Sequence, residues 1–317
     1  LTVSIATTAN TRTASSKGLA EKGPHTPAPD RLWRNLTLAP AILIFAALTV
    51  LPMINLAMLS FHDINWAEGL SSWTYVGFKH YADLGADTLF TASIRNTLIF
   101  AVVAVVVQMI IGFALAVLTS SIVRGRLFYR TIFLLPILVP GIIIGAIWKL
   151  MFSFDFGILN RIVALIGIAP RDWLGDANYA LASIIVVDIW HWTPFCFLLL
   201  LASLETLPQD VYEAAEIDGA SRWQSLCFIT LPLMLPAIAV TFVFRLILAF
   251  KVFDEVYLLT GGGPGSSTEV ISFTIFRRFF TEDQPGYGSA MSIATFAFIA
   301  LLIIVVTAAT RRKGVTA

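Results

Sequence analysis

Charge is what this chain has least of. Of 317 residues, 13% are Asp, Glu, Lys or Arg, 57% are hydrophobic, and the mean hydropathy is +0.82. Ordinary soluble domains carry about twice that charged fraction. The composition therefore excludes a water-soluble globular protein and points to a chain embedded in a bilayer. The formal net charge is +1, and no basic cluster is interleaved with aromatics, so nucleic acid is excluded as a partner. Cysteine is scarce too. Cys196 falls in an apolar stretch and Cys227 in a polar one, which gives neither a disulfide framework nor a metal-ligand spacing. The four histidines (His25, His62, His80, His191) are scattered, and there is no H-E-x-x-H. No G-x-x-x-x-G-K-[ST] occurs either, so Gly261-Gly262-Gly263 is no nucleotide loop and the chain is expected to hold no cofactor. Residues 1 to about 30 lack the apolar core of a signal peptide. Their Thr, Ala, Ser and Pro predict a disordered tail over 1–35, and 311–317 reads as a short basic tail.

What the chain does have is long apolar runs. A membrane helix needs about 20 such residues, and six stretches qualify: 36–60, 96–119, 131–152, 180–202, 233–259 and 289–310. The expected fold is therefore all-α, a polytopic membrane protein of six transmembrane helices spanning 36–310. Basic residues between the spans set the orientation. With the N-terminus inside, twelve fall on the inner side, among them Arg124, Arg126, Arg130, Arg222, Arg311, Arg312 and Lys313. Five fall outside: Lys79, Arg161, Arg171, Arg277 and Arg278. Both termini and the loop 203–232 are thereby predicted to face the cytoplasm.

That loop is the one polar interruption of its kind. Pro208 suits the start of a helix, and Asp210 and Glu213 lie near its positive end. Val211, Ala214 and Ala215 share a face, Gly219 stops the helix, and Ser221 with Gln224 reads as a capping box that restarts it.

Glu213-Ala214-Ala215, then Asp218-Gly219-Ala220, then Ile229, Leu231-Pro232 and Pro236 resemble the EAA loop of permease subunits of binding-protein-dependent ABC importers. One position departs, with Leu226 where that family often has Phe. The resemblance covers about 36–310 and implies the type I importer permease fold. It also implies that Tyr212, Glu213, Ala214, Ala215, Asp218, Gly219 and Ala220 couple the chain to a separate ATPase, which binds ATP and Mg. Further implied partners are a second permease, two ATPase copies and an extracytoplasmic solute-binding protein, all at a bacterial inner membrane. The segments 76–81 with Asn96-Thr97, and Gly157-Ile158-Leu159-Asn160, resemble carbohydrate-type permeases. The run from Phe253 to Pro264 with Thr268 resembles the first-permease branch of maltose and glycerol-phosphate systems. A sugar, polyol, glycoside or anionic sugar is the solute this implies.

Polar residues within the spans need a reason, since a charge at mid-bilayer costs about 2.5–3.5 kcal/mol on insertion scales. Asp188, Trp190, Trp192, Arg245, Asp254 and Glu255 are the candidates for a solute cavity: aromatic faces suit sugar C–H surfaces, and charged groups suit hydroxyls. The competing expectation is that Asp188 and Arg245 pair with each other or with the second permease while the tryptophans pack. His191 reads as a satisfied buried histidine. A different class of function, an ion-coupled secondary carrier, would favour inverted repeats with matched broken helices, and none is visible.

Overall fold

The computed structural model describes residues 31–67, 70–120 and 125–314; residues 1–30 of the tail expected over 1–35, and the last three residues, lie outside them. The chain divides into two units, residues 1–53 and 54–317. Helix α1 (Arg31–Leu59) carries Pro40 and Pro52 and begins five residues inside the segment expected to be a tail.

The connection to the next long helix is more ordered than a loop. Strands β1 (His62–Ala67) and β2 (Leu70–Tyr75) pair antiparallel, His62 opposite Tyr75 and Ala67 opposite Leu70. Rings from the hairpin and its flanks meet edge-on, His62 against Trp73 and Tyr75, Phe61 against Phe78. Short α2 (Lys79–Leu84) follows, and then α3 (Thr88–Ser120). Asp87 caps α3, accepting from the amides of Leu89 (2.8 Å) and Phe90 (3.1 Å). Its other oxygen accepts from Arg278 (3.0 Å) and Tyr287 (2.8 Å). Burial raises the Asp87 carboxyl, but these donors together hold it below the ordinary aspartate value.

The third expected span is divided. Helix α4 (Arg126–Leu134) gives way to a 3-10 turn at Pro136–Leu138, and α5 (Gly141–Met151) resumes. Proline cannot donate and disfavours helix in the residue before it, so Pro136 and Pro140 interrupt what hydropathy reads as one helix. Among the described residues, five segments are long and apolar enough to cross a membrane: Thr37–Leu59, Thr88–Ser120, Ala180–Leu204, Arg222–Leu259 and Pro285–Val305. The interrupted 126–151 stretch stands in place of the third of the six expected spans.

After α6 (Ile158–Leu165) comes α7 (Ala180–Leu204), then α8 (Gln209–Ile217) and α9 (Arg222–Ser225). A π turn at Leu226–Thr230 leads into α10 (Leu231–Phe250). Short α11 (Asp254–Leu259) and α12 (Ile271–Phe276) precede the long α13 (Pro285–Gly314).

The core lies where α3 and α7 cross. Ala101, Ala104, Gln108, Gly112 and Ala116 recur at three- and four-residue steps along α3, and all are buried. Small side chains let helix backbones approach closely. A Cβ on Gly112 would lie 2.8 Å from the Cys196 Cβ and 2.9 Å from the Phe197 amide nitrogen, so the crossing has no room for one.

The glycine-rich segment after α11 is a folded cap. Gly261, Gly262 and Gly265 have φ of 58°, 87° and 61°, which favours glycine. A side chain on Gly262 would overlap the carboxylate of Glu269. Asn96 donates to the carbonyls of Ser266 (2.9 Å) and Glu269 (3.0 Å), and Thr97 accepts from the Ile271 amide (2.9 Å). Thus two residues singled out in the sequence, Asn96 and Thr97, staple this cap to α3.

Burial pushes the Glu269 carboxyl above its ordinary value, against the hydrogen bond from Thr274 and the charge of Arg277. A carboxyl with a raised folded pKa binds its proton more tightly in the folded state. Stability is therefore fullest at low pH and declines as pH rises from about 4.5 through the folded value. Glu269→Gln is expected to remove this decline, with a thermal midpoint at pH 7.5 at least as high as that of the parent chain. Midpoints measured in detergent between pH 5 and 8 test this, and a midpoint lowered at pH 7.5 would refute it.

Candidate functional site

Two breaks frame a cavity of about 380 Å³. One is Val139–Pro140 before α5. The other is Lys251–Phe253, where α10 ends with i→i−3 bonds from Lys251 to Leu248 (3.0 Å) and from Val252 to Ala249 (3.3 Å). Irregular backbone at membrane depth is tolerated where it lines a cavity or is buried in protein. Asp188, His191 and Trp192 of α7 complete the wall, with Lys251, Asp254 and Glu255 opposite.

Four of the six residues expected at a solute cavity line it: Asp188, Trp192, Asp254 and Glu255. Trp190 does not. Two residues along a helix is about 200° of rotation, which turns Trp190 away, 44% exposed and 5.7 Å from the Trp148 ring. Arg245 stands behind the wall. It donates Nε to the Gln108 side-chain oxygen (2.7 Å) and a terminal nitrogen to Asp188 Oδ2. Gln108 in turn donates to Asp188 twice, to its carbonyl (2.8 Å) and its carboxylate (2.9 Å). Arg245 and Asp188 are each 1% exposed and Gln108 0%. The Arg245 guanidinium also lies 5.1 Å from the centroid of the Trp192 ring. The pairing of Asp188 with Arg245, one of the two expectations, is thus present, and Gln108 joins it. Gln108 escapes a search for charges. Its signal is a single amide within the small-residue stripe of α3.

Asp254 and Glu255 form the first turn of α11, favourable for acids because of the exposed amides there. Glu255 Oε1 meets His191 Nδ1 at 3.0 Å, both buried, so His191 is satisfied as expected. Asp254 packs on α5, and a Cβ on Gly141 would stand 2.8 Å from its Oδ2.

The second group of expected residues sits beyond α7. Helix α8 ends in a Schellman arrangement: Ala220 donates to Ala215 (2.9 Å), Gly219 to Glu216 (3.1 Å), with Gly219 at φ 75°. The capping box on Ser221 is formed in both directions, its amide donating to Gln224 Oε1 (2.8 Å) and its hydroxyl accepting from the Gln224 amide (3.3 Å). Pro208 caps the helix rather than occupying its first position. Ala215 is buried; Glu213, Ala214, Asp218 and Gly219 are exposed, and Ala220 is half-buried. The Tyr212 hydroxyl bonds Thr230 Oγ1 (2.9 Å), tying α8 to the foot of α10. Ile217 (88%), Trp223 (71%) and Phe228 (77%) add exposed apolar surface. An ion pair between Arg130 and Glu205 links α4 to the start of this element.

Comparison with known proteins agrees with this arrangement. Residues 108–314 match the family "Binding-protein-dependent transport system inner membrane component". The chain is 37% identical to the trehalose/maltose transport system permease protein MalF of Thermococcus litoralis over 85% of its length and 90% of that protein's. It is 33% identical to the sulfoquinovosyl glycerol transport system permease protein SmoG of Agrobacterium fabrum, over 84% and 87%. A chain from the crystal structure of a bacterial ABC transporter that imports the acidic polysaccharide alginate superposes with a TM-score of 0.77 at 26% identity, covering 89% of this chain and 99% of that one. Long apolar helices with an interrupted stretch at 126–151, a polar elbow beside α10 and a match over residues 108–314 have one explanation: this chain belongs to the inner-membrane permease family of binding-protein-dependent ABC transporters.

Proposed function

We propose that this chain is one pore-forming half of an ATP-driven importer for a sugar or sugar-like solute, worked by separate ATPase subunits through α8. The observation that carries the reading is the build of α8–α9. Its acidic and apolar residues are exposed while its foot is bonded to α10 by Tyr212 and Thr230. A push on α8 is therefore delivered to the helix that borders the cavity. Exposed Ile217, Trp223 and Phe228 suit a protein partner, since aromatic anchors dominate such contacts.

The inward placement of α8 and both termini follows from the excess of basic residues on that side. A second permease completes the pore, two ATPases bind ATP and Mg, and an extracytoplasmic binding protein delivers the solute. The sugar class is supported by the relatives named for trehalose/maltose, sulfoquinovosyl glycerol and alginate transport. Inside the cavity, Trp192 offers an aromatic face, and Asp254 and Lys251 offer hydrogen-bonding groups to hydroxyls.

The experiment is a cysteine at Ser221 in a chain with Cys196→Ala and Cys227→Ala. A membrane-impermeant maleimide should label it in inside-out vesicles alone, and co-expressed ATPase should protect it. Labelling from the outside would overturn the reading.

A further inference from the structure

Arg245 is a costly residue to keep. Its charge is buried beside α3 and α7, it does not line the cavity, and two of its nitrogens are engaged by Gln108 and Asp188. Breaking even on a buried ion pair is common, because desolvation offsets the attraction. The pair alone therefore explains little. The remaining face of the guanidinium is the informative one. It lies 5.1 Å from the Trp192 centroid, and Trp192 does line the cavity. Around the indole stand His191 (5.2 Å between ring centroids) and Phe195 (6.1 Å), both neighbours on α7 itself. Arg245 comes from another helix and is fixed by a third.

We propose that Arg245, locked by Asp188 and Gln108, is a positioning residue: it fixes the Trp192 indole as the aromatic wall on which the solute stacks. The planar guanidinium is suited to this, since it can bond two partners in its own plane while presenting a flat face to a ring. Lysine, a point charge on a flexible stem, can answer Asp188 but cannot do both. The same geometry withdraws the Arg245 charge from the solute. An anionic group on a sugar would find this cation already bonded to Asp188.

The inference rests on the cavity as the solute site, and the test separates the two. Within the whole complex, this chain carries 5-fluorotryptophan at its eight tryptophans, with the Trp192 fluorine line assigned by Trp192→Phe. Four further chains are compared: Trp192→Ala, Arg245→Lys, the two combined, and a charge-free triple Gln108→Leu/Asp188→Leu/Arg245→Met. Arg245→Lys keeps the ion pair and so guards against failure of the triple to fold. The expected result is a shifted, broadened Trp192 line in Arg245→Lys and in the triple. Uptake of trehalose or maltose into proteoliposomes should show a KM raised about tenfold in Trp192→Ala and in both network variants, with the maximal rate held, as loss of an aromatic contact predicts. Arg245→Lys combined with Trp192→Ala should be no worse than Trp192→Ala alone, because one residue acts through the other. A Trp192 line unmoved in both network variants overturns the proposal whatever the transport data show. If the line moves and Trp192→Ala leaves KM unchanged, the cavity reading fails and the proposed wall with it. If Trp192→Ala raises KM and the network variants do not, only the positioning role is lost.

Discussion

Arg245→Met alone is expected to cost about 3–5 kcal/mol of stability, the range for removing one partner of a buried ion pair. The substitution keeps an apolar stem of similar shape and removes the guanidinium with its contact on Trp192. What also changes is Asp188, 1% exposed, whose carboxylate keeps one hydrogen bond from Gln108 and loses its countercharge. The carboxyl must then either stay ionised in an apolar bundle or take up a proton at neutral pH, and both lower the stability of the folded form. The charge-free triple should recover most of that loss, because no unpaired charge is left. Thermal midpoints and inserted yield in detergent decide the matter. A midpoint for Arg245→Met within about a degree of the parent chain would show that water reaches the pair and that its burial carries no energetic weight.

Glu213→Lys is expected to abolish most ATP-coupled uptake while the chain inserts normally. Glu213 is exposed on α8 and its carboxylate makes no hydrogen bond or ion pair among the described residues, so charge reversal there leaves the fold untouched and changes only what the elbow presents. Placing a wrong charge centrally in an interface removes about 2 kcal/mol or more, about thirtyfold in occupancy. Gly219→Val tests the same element by another route. Nothing lies within 4 Å of a Cβ built there, so steric overlap is absent, and the penalty is the positive φ of 75°. That strain is about 1–2 kcal/mol for a residue with a side chain. It is large enough to undo the bonds from Gly219 and Ala220 that close α8. Uptake and ATPase rate are read together in proteoliposomes. Both substitutions should lower uptake per ATP hydrolysed, Glu213→Lys the more. Unchanged uptake in both would remove α8 as the coupling element.

Hydropathy carried the spans well because the bilayer demands long apolar runs and little else in the chain competes with them. It overlooked the division of 126–151, since Pro136 and Pro140 barely lower an apolar average yet delete donors and crowd the turn before them. The hairpin 62–75, between two expected spans, carries no pattern that announces it. Its strands hold Trp, Tyr, Ile and Thr among polar residues, and six-residue strands leave too short a pattern to stand out. The elbow was far more readable. Capping box and glycine stop are local devices whose partners lie three to five residues away, so sequence spacing is nearly their geometry. The cavity is the opposite case. Asp188, Arg245 and Gln108 are 57 to 137 positions apart in sequence, and only packing of α3, α7 and α10 brings them together. Trp190 and Trp192 looked equivalent as residues in one span, and the helical turn between them decides which meets the cavity.

The gap in the helical ladder at residues 251–253 sets how far a displacement can travel. Helix α10 is gripped at its foot by the Tyr212–Thr230 bond, whereas α11 rests against α5, where Gly141 and Gly145 admit Asp254 and Leu258 at contact distances that leave no room for a methyl group. Because no rigid rod joins the two halves, tilting the lower one does not oblige the upper one to follow. If α8 moves the lower half of α10 as proposed, the upper half can keep its seat on α5, so the two ends of the path are hung separately.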